Sequence, residues 1–135
     1  EKDTTGFSSQ YGWVHAFAHG GDLLTEVICH PRFPKSDIAE AFEIIGKIFK
    51  RVEIRFTNDE DWRLARAFYE PILRGKIEPS LFTAWLQTVE FPLKEANDFH
   101  KFSNFRSCLL EIYLQLDCHN LLQDDLKKII QSFHY

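Results

Sequence analysis

The sequence predicts an all-α fold. Three observations carry this expectation. Apolar residues recur at steps of three and four along most of the 135-residue chain. Prolines and glycines punctuate these runs at helix-sized intervals. No alternating apolar–polar stretch of useful length competes with them. Composition agrees with a single globular domain over residues 1–135, with 44% hydrophobic and 27% charged residues. The 13 phenylalanines point to a core built more from rings than from methyl groups.

Residues 1–12 are polar and glycine-containing and read as a lead-in loop. The first helix is expected from Trp13 to His30, where Pro31 stops it. The second opens on a capping-box pattern, Asp37 with Glu40. It carries Ile38, Ala41, Phe42, Ile45, Ile48, Phe49 and Val52 on one stripe. Thr57 with Glu60 forms a second capping-box pattern, opening a third helix through Leu64, Ala65, Phe68 and Ile72. Pro71 should kink this helix or end it early, and Gly75 closes it. The fourth starts at Pro79, a residue suited to a first helical position, and runs past Val89 to Pro92. A long fifth helix carries Phe102, Phe105, Leu109, Ile112, Tyr113 and Leu116, and Asn120 is expected to cap the start of a sixth. Six helices joined by short turns make three successive hairpins of roughly 35–45 residues. That length matches stacked antiparallel helix pairs, an armadillo- or HEAT-like α-α superhelix, with a closed helical bundle as the alternative.

Several function classes are excluded by composition. The net charge is -4, the pI is about 5.8, and there is no block of basic residues, so no nucleic-acid footprint is present. No apolar run is long enough to span a bilayer, so no membrane partner is expected. The three cysteines are far apart and odd in number, which reads as reduced thiols in a cytoplasmic protein. The chain contains no methionine, so the expectation is that it is part of a longer protein whose N-terminal helices would pack against it.

The chemically suggestive feature is a polar stripe on the first helix. At about 100° per residue, His15, His19, Asp22 and Glu26 fall within an arc of about 60°, opposite Trp13, Phe17, Leu24 and Ile28. Two histidines four apart share one face, as metal binding requires, and Asp22 could complete a His15–His19–Asp22 site for a divalent metal. The same stripe is also what a solvated face, or a hydrogen-bonded seam against another helix, looks like. Gly20-Gly21 sits mid-helix, where each glycine costs about 1 kcal/mol against alanine. Close approach by another helix is the expected reason. Arg63 is a candidate to reach an anion, or a carboxylate of the stripe if the first and third helices are neighbours.

The run from Gly12 to Leu24, preceded by Glu1-Lys2-Asp3, resembles the signature of an uncharacterised bacterial family, domain of unknown function 2785. Asp61-Trp62-Arg63-Leu64-Ala65 resembles its second motif and Cys108-Leu109-Leu110-Glu111-Ile112-Tyr113 its third. The resemblance implies an all-helical chain that is the C-terminal portion of a longer protein. It implies no activity and lends no catalytic residues. Three readings of function follow. One is a helical scaffold or binding module for a protein or peptide, and another is self-association through aromatic surface into a homo-oligomer, with no small-molecule chemistry. The alternative is a metal-assisted hydrolase using His15, His19 and Asp22, with Glu26 beside them and Arg63 holding an anionic group. The pattern leaves open whether the chain is an enzyme.

Overall fold

The computed structural model describes residues 3–134, and of Trp13 the backbone only. Glu1 and Lys2, part of the family-like lead-in, and the expected placement of the Trp13 side chain on the apolar side therefore lie outside the described residues.

The described chain is all-helical apart from one short ladder. Strands β1 (Phe7–Ser8) and β2 (Gly12–Trp13) pair antiparallel. The lead-in is thus a small hairpin rather than a loop, with its turn at residues 9–11 and Gly12 opening the second strand at φ 74°. Helix α1 covers Ala16–Cys29, and a 3-10 turn at Lys35–Asp37 leads into α2 (Ile38–Arg51). Helices α3 (Glu60–Leu73), α4 (Pro79–Leu86), α5 (Ala96–Cys118) and α6 (Asp124–Ser132) follow. No helix among the described residues is long and apolar enough to cross a membrane.

The helices pack in two layers. Helix α1 lies on α3 and α3 on α5, while α2 meets α4 and α4 meets α6. Helices α1 and α3 run parallel, because the paired residue numbers rise together: Gly21 lies beside Arg63, and Glu26 reaches Arg74. Between the layers sits a ring-rich core. Phe42, Phe68, Phe82 and Trp85 stack and tilt against one another at centroid distances of 5.0–5.8 Å. Phe49 and Phe105 extend the cluster towards α5. Such offset and tilted pairs place positive ring edges on negative faces, which adds to the area term.

The helix ends correct several expectations. Neither Asp37 nor Thr57 makes a side-chain cap: α2 follows directly from its 3-10 turn, and Asp59 (φ 62°) is the residue before α3. Glu60 instead accepts the Asn58 backbone N–H at 2.8 Å. Pro71 does not end α3 early; it lies in the last turn and the helix runs on to Leu73. Gly75 does close α3, at φ 71°, with its N–H on Ile72 O and the Lys76 N–H on Pro71 O. Asn120 does not cap α6. It takes φ 56° and ends α5 in the same way, with its N–H on Asp117 O and the Leu121 N–H on Leu116 O. Asparagine and glycine both tolerate this left-handed turn, which satisfies the last helical carbonyls. Helix α4 ends at Leu86 rather than continuing past Val89. Among the described residues a capping box forms between Glu95 and Asp98, at the start of α5.

Candidate functional site

Helix α1 starts at Ala16, not Trp13, because His15 takes the left-handed conformation (φ 46°, ψ 39°) as the residue before the helix. The backbone N–H groups of Val14 and His15 are both directed at Gly6 O, at 2.8 and 3.3 Å, which ties the hairpin to the helix start. His15 and His19 remain neighbours, with ring centroids 6.4 Å apart and planes tilted by 58°.

Asp22 does not join them. Its two carboxylate oxygens accept from Arg63 and Arg66 on α3, each at 2.7 Å. One turn on, Glu26 is held by Arg74 at 3.0 and 3.3 Å. Glu70 connects the two halves, 3.7 Å from Arg66 and 3.0 Å from Arg74. The stripe is therefore one side of a charge-balanced ladder, Arg63–Asp22–Arg66–Glu70–Arg74–Glu26. The α3 residues recur at steps of three and four, so they form one row opposite Asp22 and Glu26. Hydrogen bonding from Arg74 holds the Glu26 carboxyl below its ordinary range. The bonds to Glu26 and Glu70 raise the Arg74 pKa and keep its guanidinium charged.

The expected His15–His19–Asp22 set is not brought together: His15 and His19 stay neighbours while Asp22 is turned to Arg63 and Arg66. Among the described residues no group of three or more His, Cys, Asp or Glu side chains could hold a metal ion. The reading of Arg63 as a reach across to the stripe does match the geometry. So does one of the two glycines. A Cβ on Gly21 would sit 2.8 Å from Arg63 C and O, so α1 and α3 approach backbone to backbone there. Gly20 meets nothing within 4 Å.

Arg63 and Asp22 are 50% and 29% exposed, so each ion pair is worth only a few tenths to about 1 kcal/mol. Asp22→Ala, which removes two pairs, is expected to cost about 1 kcal/mol in urea unfolding at low salt. The loss should shrink in molar salt as the charges are screened. A loss that does not change with salt would mean that the ladder acts through packing alone.

Sequence reasoning passed over a second feature. Helices α1 and α2 diverge and leave an open cleft of about 510 Å³. Ala16, Gly20, Leu23 and Leu24 form one wall, and Ile44, Lys47, Ile48 and Arg51 the other. Leu23 is 67% and Ile44 52% exposed, and the two lie on facing walls of the same cleft. Lys47 and Arg51 are its only charged lining residues, and neither has an ion-pair partner among the described residues. The signal was present in α2. Ile44, Lys47, Ile48 and Arg51 repeat at the helical spacing, and Ile44 was the apolar residue left off the core stripe.

A third polar group is structural. Asp61 and Asn104 are 5% and 0% exposed. Asp61 pairs with Arg55 at 3.2 Å, and Arg55 also bonds Asn104 and Ser107. Burial pushes the Asp61 carboxyl above its ordinary value, against the pull of Arg55. The acids at the start of α3 thus serve a buried network as well as the helix dipole. Every buried side-chain polar atom among the described residues has a hydrogen-bond partner.

Comparison with known proteins adds one finding. The model of a family described as "Protein of unknown function (DUF2785)" matches residues 1–114, leaving out residues 115–135. No curated protein and no solved structure matches the chain.

Proposed function

We propose, for a chain that belongs to the DUF2785 family, that it is a non-enzymatic helical binding module holding a polypeptide partner in the cleft between α1 and α2. The observation that carries this reading is the cleft itself: an open, mainly apolar space whose rim leaves Leu23 and Ile44 largely in water. An apolar recess of several hundred Å³ with a few polar groups is the ordinary form of a binding site. Paired helices in two layers present such surfaces at the ends and edges of the stack. The charged residues that could have served chemistry are committed elsewhere. Asp22, Glu26 and Arg63 are engaged in the ion pairs between α1 and α3.

The test is photo-crosslinking in the cells that make the protein, with a benzophenone amino acid placed at position 23, 44 or 117. Positions 23 and 44 lie on the cleft, and Asp117 is an exposed residue near the end of α5. Crosslinked polypeptide is expected from 23 and 44 and not from 117. Equal yield at all three positions, or none at 44, would overturn the reading.

A further inference from the structure

Resting on the binding-module reading, we infer that the occupant of the α1–α2 cleft is an amphipathic helix of another polypeptide, with acidic residues flanking its apolar stripe. Three observations meet here. The first is the shape. Both walls are faces of helices, with residues at steps of three and four on each, so the floor is an elongated groove rather than a round pocket. Ala16 to Leu24 spans about 12 Å at 1.5 Å per residue, about two turns of an occupying helix.

The second is Gly20. A glycine inside a helix costs about 1 kcal/mol, and at Gly21 the approach of the α3 backbone accounts for it. Gly20 lines the cleft, its φ is not left-handed, and a Cβ there would touch nothing within 4 Å. Nothing among the described residues requires glycine at this position. With Ala16 one turn earlier, Gly20 makes a low shelf on which a second helix backbone can lie as closely as α3 lies on Gly21. A flexible chain or a small apolar molecule would not need that shelf.

The third is charge. No acidic residue lines the groove, and on α1 Asp22 and Glu26 are neutralised by Arg63, Arg66 and Arg74. Lys47 and Arg51, one turn apart on the opposite wall, are not neutralised by any ion pair among the described residues. The groove therefore presents a positive rim over an apolar floor. The complement is a helix with carboxylates beside its apolar stripe.

The experiment is a selection from a displayed library of helices of about four turns, with an apolar stripe and flanking positions randomised among Glu, Gln and Lys. The baits are the wild-type chain, Gly20→Leu, and the Lys47→Glu/Arg51→Glu double variant, each checked for folding by circular dichroism. Sedimentation of each bait reports self-association. Wild type is expected to enrich glutamate-flanked helices, Gly20→Leu to lose them while remaining folded, and the double variant to enrich lysine-flanked ones instead. Enrichment that depends on Gly20 but shows no acidic bias, and no reversal, would overturn the acidic occupant and leave the binding-module reading standing. No enrichment by a folded, monomeric wild-type bait would overturn both. A wild-type dimer that Gly20→Leu turns into a monomer would make the occupant a second copy of this chain, and would also overturn the inference.

Discussion

Gly21→Leu is expected to lose about 3 kcal/mol or more of unfolding free energy, a drop of roughly 10 °C in Tm for a domain of this size. A Cβ at this position would lie 2.8 Å from the Arg63 carbonyl and 3.0 Å from Leu64 N. Those are backbone atoms inside α3, and they have no rotamer to change. Helix α1 would have to move away, and the Asp22 bonds to Arg63 and Arg66 would lengthen with it. Gly20→Ala is the internal control. It adds a methyl group in open space and gains helix propensity, so it should stabilise the chain by up to about 1 kcal/mol. The two variants should therefore move urea midpoints in opposite directions although the positions are adjacent. Equal effects would mean that α1 does not approach α3 at Gly21.

Asn104→Ala is expected to cost about 3 kcal/mol, from two or three buried groups left unsatisfied at about 1–3 kcal/mol each. The Asn104 side chain is fully buried and serves the connection between α2 and α3. Its oxygen accepts the Phe56 N–H at 2.9 Å and bonds Arg55, and its amide donates to Ile54 O at 2.8 Å. Truncation strands all of these and leaves Arg55 with only Asp61 and Ser107. Ser107→Ala removes a single bond and should cost about 1 kcal/mol. Urea unfolding of the two variants separates the outcomes. A loss at Asn104 no larger than at Ser107 would mean that water replaces the amide without penalty.

These two sites differ in how far they could be read from sequence. The glycine pair announces a close approach, because glycine inside a helix has a known cost. It does not say which of the two residues faces the neighbour. Asn104 announces nothing. A lone asparagine in a helix reads as surface, and only its position opposite the Ile54–Phe56 backbone makes it central. Asn120 shows a third case. A residue between two helices can end one or begin the next, and the sequence favoured the wrong partner, since both roles suit asparagine.

The all-helical class, the six helices and the closure at Gly75 are determined by the sequence alone. These depend on local causes: apolar spacing that matches the turn of a helix, and residues that cannot continue one. The start of α1 escaped that reading because the hydrogen bonds of Val14 and His15 to Gly6 O are tertiary in origin and override the periodicity of the Trp13–His15 segment. The fate of the polar stripe was likewise decided only by the tertiary structure. A row of histidines and carboxylates has the same period whether it faces water, a metal or a second row of charges. Packing of α1 parallel to α3 brings Arg63, Arg66 and Arg74 against Asp22 and Glu26, and that arrangement makes a seam of the carboxylate half of the stripe. The cleft arises from the same packing. Once α1 leans on α3 and α2 on α4 and α5, the faces of α1 and α2 that carry Gly20 and Ile44 are left apart, a relation between two helices that neither encodes by itself.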